Sequence, residues 1–411
     1  MMLVDYFVLS APAGQREDYN AHIQRNGVLE RCDRSLIDAV AEVALTGRGG
    51  AHFPVARKWQ PVLQAISTAA RLTVVVNAAE GEPSSRKDAE IMRRNPHLVL
   101  DGAVALSQSL VTGTYAAADI VVWLHEGDDI SLSSIQRAID ERAGLDEPPM
   151  RVLLTPARYV SGESTSVIRA VQSERRTGKA TAFPRFTVDP GRPWLQDDAD
   201  GNPILVHNCE TMARIGQIAR VGALAYRATS LVTVTAPGGL RVLEVGPDTT
   251  FATLLASLGV VTPSAVLLGG YGGQWVEWLR IADLAVDPDA LRTHGLSLGA
   301  GIIIPLAPEE CGLQKTAEIA AWMAGQSAKA CGPCTFGLPA VAELMTKISK
   351  KAKARDLREL HEVCGLIPGR GACRHPDGTV RMVTSALEVF AEDLDQHTHS
   401  RCLAHPRKHR R

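Results

Sequence analysis

The stretch RLTVVVNAAEGEP, residues 71–83, runs a block of β-branched apolar residues directly into a polar, glycine-bearing turn. Such a block reads as a short buried strand. It is one of several. AAADIVVWLHEG and MRVLLTPARYVSGEST repeat the pattern of strand followed by polar loop. SLIDAVAEVAL and PVLQAISTAA ahead of the first strand, and PHLVLDGAVALSQSL and SLSSIQRAIDERAG between the others, carry helical apolar spacing, the last of them opening on a serine cap. Strands alternating with helices predict an α/β domain with a largely parallel sheet. The acidic loop LQDDADGNP, residues 195–203, reads as solvated.

The texture changes near residue 229. TSLVTVTAPGGLRVLEVGPDTTFATLLASLG predicts two strands joined by a Pro-Gly-Gly turn and then a helix, a small β-grasp-like module. From residue 307 helical patterns dominate, and most of the cysteines lie in that region. The expected organisation is an α/β domain over 1–225, a β-grasp domain over 226–305, a helical domain over 306–400 and a basic tail over 401–411. A chain of 411 residues is too long for one core of typical size, which agrees with several domains.

Composition narrows the function. Net charge is −1 and the tail HPRKHRR is short, so nothing predicts a nucleic-acid footprint. No apolar run reaches the length of a membrane span. The N-terminal stretch lacks a basic start, so no signal peptide is expected, and a cytosolic setting is. There, eight cysteines do not make a disulfide scaffold. The pair Cys331 and Cys334, with Cys364 and Cys373 downstream, leaves three readings open by spacing: a zinc or iron–sulfur site, unliganded thiols, or a redox disulfide. Cys32 and Cys209 read as inert thiols.

TGRGGAHFP, residues 46–54, packs three glycines into four positions. Such a loop admits close approach of a ligand, and its amides can cradle an anion that Lys58 would meet. Taken alone the glycines favour a plain turn, and the loop does not have the spacing of a Rossmann glycine loop. NAAEGEP (77–83), YVSGEST (159–165) and LVHNCET (205–211) each follow a predicted strand, where α/β proteins bind ligands. Three such loops favour a shared pocket. His207 by itself reads as a structural histidine.

Taken in order, these stretches resemble the flavin-bearing, NADH-binding subunit of respiratory complex I and of related NAD-linked hydrogenases and formate dehydrogenases. TGRGGAHFPVARKW is similar to G-R-G-G-A-G-F-P-x-x-x-K-W. NAAEGEPSSRKDAEIMRRNPHLVLDG is similar to N-A-D-E-G-E-P-G-T-[FY]-K-D-R-x-x-M-x-x-x-P-H-L-x-x-x-G. YVSGESTSVI and GNPILVHNCET resemble Y-I-x-G-E-E-T-A-L and G-x-P-T-x-x-N-N-V-E-T. The resemblance implies an FMN-binding α/β domain, a β-grasp domain and a helical domain holding a [4Fe–4S] cluster. Hydride would pass from NADH to FMN, and electrons would then leave singly through the cluster. Carried over, Gly47, Arg48, Gly49, Gly50 and Lys58 hold the FMN phosphate region, and Asn77, Glu80, Gly162, Glu163 and Asn208 line the flavin. Glu80 and Glu163 are the candidate catalytic residues. Phe53 and Phe183 would stack on the NADH adenine, and Glu82 falls in the nucleotide-facing motif.

The departures are specific. Against S-C-G-x-C-x-P-C-R, Cys331 and Cys334 take the second and third ligand positions, Cys373 the fourth, and Ala328 the first. Thr335 replaces the arginine. Three cysteines leave a cluster open at one iron. Ala79, Ser164, Arg86 and His207 replace an aspartate, a glutamate, an aromatic and an asparagine, and Pro61 stands where the family often has another adenine-stacking aromatic. Loss of acid and gain of Arg86 suit the 2′-phosphate of NADPH; the alternative is that Arg86 replaces a lost stacking surface or points to solvent. The expected protein is an NAD(P)H-oxidising flavoprotein that hands electrons to an iron–sulfur partner subunit or a ferredoxin-like protein. The alternative is a degenerate homologue that keeps the fold as a redox-complex scaffold.

Overall fold

The structure is a computed structural model that describes residues 7–180, 196–197 and 200–405. The described chain divides into two compact units. One takes residues 7–81, 86–180, 196–197 and 200–229, and the other takes 82–85 and 230–405.

The first unit is built on a five-stranded sheet of β1 (Arg71–Asn77), β2 (Ala117–His125), β3 (Met150–Thr155), β4 (Gln196–Asp197) and β5 (Pro203–Asn208). The order is β3-β2-β1-β5-β4, with β3, β2, β1 and β5 parallel and only β4 antiparallel. The central strand is the predicted one. Val74, Val75 and Val76 are fully buried, which is why this strand carries no polar alternation. Two of the expected local details differ. The Asp129–Glu141 helix is capped by Asp128, whose side chain accepts from Ser131 N, rather than by a serine. In the acidic loop, Asn202 is buried, and its Oδ1 accepts from the amides of Ala70 and Arg71. A short amide that satisfies two edge N–H groups is drawn inward despite its acidic neighbours.

Two helices, Pro96–Val111 and Cys209–Ala225, cross at backbone contact behind the sheet. A Cβ placed on Gly102 would lie 1.8 Å from the carbonyl oxygen of Met212, and one on Gly216 would lie 2.5 Å from that of Leu98. Backbone cannot yield as a side chain does. Gly102→Ala is therefore expected to destabilise by roughly 3 kcal/mol, the upper range of overpacking. Gly365→Ala, in a helix where a new Cβ meets nothing within 4 Å, is expected to be neutral or to stabilise by up to about 1 kcal/mol. Urea midpoints of the two variants check the contrast.

The second unit opens with a mixed sheet of β6 (Ser230–Ala236), β7 (Gly239–Val245), β8 (Ala265–Leu268), β9 (Gln274–Glu277) and β10 (Ile302–Leu306), in the order β7-β6-β10-β8-β9. The β6–β7 hairpin turns through Gly238 and Gly239, both at positive φ (83° and 116°). The Phe251–Ser257 helix packs into the sheet core through Phe251, Leu254 and Leu255. This is the β-grasp arrangement expected from the sequence. Four longer helices follow, Gly312–Gly325, Leu338–Ile348, Ala354–Leu366 and His375–Val389, and then the short Ala391–Thr398.

Candidate functional site

In the first unit the loops singled out in the sequence meet at the C-terminal ends of β1 and β5. Asn77 and Asn208 are register partners on these neighbouring strands. Asn77 Nδ2 donates to Gly162 O at 2.8 Å, and its Oδ1 accepts from Ala79 N at 3.3 Å. Gly162 has to be glycine, because a Cβ there would sit 2.5 Å from Ala79 O. The glycine loop joins from another side. Arg48 N donates to Thr211 Oγ1 at 2.9 Å, and the Cβ position of Gly49 lies 3.3 Å from Asn208 Cβ. Gly47, Gly50 and Phe53 belong to the same turn, which closes through Gly47 N to Phe53 O at 2.9 Å. His52, at the position of a family glycine, adopts φ 47°, the left-handed backbone that glycine takes more readily.

Three carboxamide and carboxylate groups in these loops also cap helices. Asn208 Oδ1 accepts from Glu210 N at 3.0 Å. Glu163 accepts from Thr165 N at 2.9 Å and Ser166 N at 3.1 Å. Glu80 accepts from Asp88 N and Ala89 N at 3.3 and 3.2 Å. Three helices therefore begin at the loops around β1 and β5, and helix N-termini favour anions. Burial raises the Glu163 carboxyl, although the hydroxyl and amides of Thr165 and Ser166 pull the other way.

Lys58 is the cation of the site. Its Nζ donates to Val206 O, and no carboxylate pairs with it among the described residues. Crowding by protein pushes its pKa down to about 8. A half-buried ammonium lacking a counter-charge among the described residues is the complement of an anionic group such as phosphate. His207 is buried and accepts from Trp59 Nε1 at 2.8 Å, and burial holds it neutral, which agrees with a structural histidine.

Sequence reasoning missed a second layer. Lys87 is buried, with Nζ 2.9 Å from Asp88 Oδ1 and 3.0 Å from Glu210 Oε2. Asp88 Oδ2 accepts from Asn208 Nδ2 at 2.6 Å, and Arg214 pairs with Glu210 at 2.8 Å. Burial alone would raise the Glu210 carboxyl, yet Lys87, Arg214 and Arg48 hold it at about 2. This ionic layer orients Asn208 and stiffens the loops above it. The available signal was the Lys-Asp of SSRKDAE and the Glu of NCET.

Not every candidate joins this site. Glu82 belongs to the second unit, where it accepts from Tyr271 N at 2.7 Å. A Cβ on Gly270 would strike its carboxylate at 2.2 Å, so that contact too depends on glycine. Phe183 lies outside the described residues. Arg86 is exposed at the residue before the Lys87–Arg94 helix.

The cysteine loop lies in the second unit. Cys334 is buried in a π-turn, Pro333–Gly337, that leads into the Leu338–Ile348 helix. Cys331 and Cys334 are neighbouring thiols at this turn. Burial first, and then this neighbour, raises Cys334 to about 11. Ser327 Oγ donates to Cys334 O at 3.1 Å and accepts from Lys329 N at 3.1 Å. Lys329 stands where the family motif has glycine and keeps a positive φ of 53°. Thr335 Oγ1 donates to Cys331 O at 2.9 Å. Cys373 is half-buried, two residues before the His375–Val389 helix that packs against this π-turn. Cys364 is buried in the Ala354–Leu366 helix, and burial raises it to about 11. Paired thiols on a tight loop suit soft iron–sulfur ligation, with Ala328 supplying no ligand.

A parallel sheet whose strand ends carry a glycine loop, an uncompensated ammonium and three capped helix starts defines an α/β protein that binds an anionic nucleotide cofactor. Two separate regions of this chain match family models of the flavin- and NADH-binding subunit of respiratory complex I. Residues 40–217 match the Nuo51 FMN-binding domain, and residues 314–397 match the NADH-ubiquinone oxidoreductase-F iron-sulfur binding region. The family is the NADH-oxidising, FMN-binding subunit that passes electrons to an iron–sulfur cluster. The chain is 26% identical over 388 residues to the F component of NADH-quinone oxidoreductase from Buchnera aphidicola (subsp. Schizaphis graminum), covering 89% of this chain and 84% of that one. It is 24% identical to the HndC component of the NADP-reducing hydrogenase from Solidesulfovibrio fructosivorans, covering 92% and 79%. The fold is that of a chain in the crystal structure of an NAD+-reducing [NiFe]-hydrogenase, with a TM-score of 0.75 at 21% identity. That match covers 89% of this chain and 62% of the hydrogenase chain. Among the described residues no helix is long and apolar enough to cross a membrane.

Proposed function

We propose that this chain oxidises NADH or NADPH at FMN and passes the electrons on, as the input module of a larger redox assembly. The observation that carries the reading is the meeting of the glycine loop, the Asn77 loop, Gly162–Glu163 and Asn208 beside the uncompensated Lys58. Bound FMN supplies the chemistry that accepts a hydride and releases electrons one at a time. The chain's own residues do the rest. Lys58 and the loop 47–50 neutralise phosphate. Asn77, tethered to Gly162 O, and Asn208, tethered to Asp88, present fixed polar groups to the ring. Glu80 and Glu163 hold helix starts in place, so that nicotinamide and flavin meet in a reactive geometry. Phe53 provides aromatic surface for adenine. Cys331, Cys334 and Cys373 ligate the cluster. The domain division at residues 225 and 305 and an iron–sulfur or ferredoxin-like acceptor belong to the same reading, as does a peripheral place in the assembly.

The test is the visible spectrum of protein purified without oxygen, before and after NADH and then NADPH. A flavin band that bleaches with either nucleotide is expected, and a colourless protein that fails to take up FMN overturns the reading in favour of a scaffold. Exposed Arg86 is the group that would read the 2′-phosphate. Arg86→Glu is expected to raise KM for NADPH about tenfold or more while KM for NADH moves little. Equal losses for both would remove Arg86 from nucleotide selection.

A further inference from the structure

Away from the cysteine loop, the second unit brings together four side chains of metal-ligand type: Cys311, Asp393, His397 and Cys402. Their ligand atoms all lie within 4.8 Å of one another. Cys311, Asp393 and His397 are buried, at 4%, 8% and 2% exposure, and Cys402 is half-buried.

The chain builds this cluster by local means. Asp393 and His397 are four residues apart on the Ala391–Thr398 helix, so they share a face. Cys311 is the residue immediately before the Gly312–Gly325 helix. That helix start is drawn in by Gly312, where a Cβ would overlap the Phe390 ring at 2.3 Å. Cys402 returns after the helix has ended, held by Leu403 N donating to Asp393 Oδ1 at 2.7 Å. That bond leaves Oδ2 free to face the thiols.

The distances have a recognisable pattern. Cys311 Sγ is 3.3 Å from Asp393 Oδ2 and 3.6 Å from His397 Nε2. His397 Nε2 is 3.5 Å from Asp393 Oδ2, and Cys402 Sγ is 3.9 Å from the same oxygen. A tetrahedral zinc with ordinary bond lengths has S···N and S···O edges of about 3.5 Å, an N···O edge of about 3.3 Å and an S···S edge of about 3.8 Å. Four edges of the cluster lie within about 0.4 Å of such a tetrahedron, and the other two are within 4.8 Å. His397 Nδ1 is buried with no hydrogen-bond partner among the described residues, so the ring's polar engagement is through Nε2, into the cluster.

We propose that Cys311, Asp393, His397 and Cys402 form a closed, four-coordinate zinc site that staples the C-terminal segment to the start of the Gly312–Gly325 helix. Two sulfurs and an imidazole favour zinc over magnesium or calcium, and a full set of protein ligands marks a structural site. Metal entry releases the two thiol protons to solvent and changes no oxidation state. The site shares no residue with the cysteines at 331, 334 and 373. It stands whether or not the chain is catalytic.

The test is metal analysis of the full chain, expressed with zinc in the medium and purified without chelator. About one zinc per chain is expected. Cys311→Ser and Cys402→Ser should each lower it at least about tenfold, while Cys331→Ser leaves it unchanged. Should the serine variants fail to fold, cobalt(II) loading of the wild-type chain and of His397→Gln decides the matter. The wild type should show the intense visible bands of tetrahedral thiolate coordination, and the variant should lose them. Wild-type protein that neither carries zinc nor takes it up overturns the proposal. So does zinc that follows Cys331, or an intact mass showing a Cys311–Cys402 disulfide in protein isolated from a reducing cytosol.

Discussion

Lys58→Met is expected to weaken FMN binding by about ten- to a hundredfold, the range set by losing one charge-assisted contact of roughly 1.5–3 kcal/mol. The size follows from isolation. Lys58 makes one hydrogen bond, to Val206 O, and has no carboxylate partner among the described residues. The same isolation sets the pH dependence. Burial lowers the ammonium to about 8 from the ordinary 10.5, so in the ligand-free chain it loses its proton above about pH 8. Phosphate favours the protonated form, so binding above that pH takes up a proton. The wild-type Kd for FMN should therefore rise through pH 8 by up to about tenfold per pH unit, and that of Lys58→Met should stay flat. Without ligand, the unfolded chain holds this proton more tightly than the folded one, so stability should rise with pH between 8 and 10.5. Equilibrium titrations that find the same wild-type Kd at pH 7 and pH 10 would take Lys58 away from the phosphate.

The second large effect concerns the cysteine loop. Cys334→Ser should lower iron content at least about tenfold, because it removes one of three thiolates, with no spare ligand in this loop. Flavin content should not change. Ala328→Cys restores the family's first ligand position, on a loop whose turn already survives through Ser327 and the left-handed Lys329. It should slow loss of the iron chromophore in air several-fold, since an iron with a protein ligand is shielded from solvent. Iron that stays with Cys334→Ser would place the cluster elsewhere or deny it.

Much of the site was legible because binding loops in an α/β protein sit where strands end, and strand ends are marked by short-range chemistry. The valine run of β1 announces its own burial, and the next residue, Asn77, is where the loop begins. The glycines at 47, 49, 50 and 162 announce close approach, and at Gly162 the approach is to Ala79 O. The paired cysteines were visible as a spacing. The motif resemblance then ordered these loops into one family pattern.

What lay beyond reach has a common cause. Lys87 and Glu210 are separated by more than a hundred residues, and nothing in either stretch says that they meet at 3.0 Å. Glu82 stood in a nucleotide-facing motif, yet its carboxylate bonds to Tyr271 in the second unit. Cys311 and Cys402 fit no recognised spacing, and the close approach of Gly312 to Phe390 together with the bond from Leu403 N to Asp393 brings them to one point. Local pattern fixes strands, helix starts and turns, because those depend on neighbours along the chain. Which buried charge faces which, and which thiols share a centre, depends on helix crossings set by packing across the whole unit. That belongs to the tertiary structure alone.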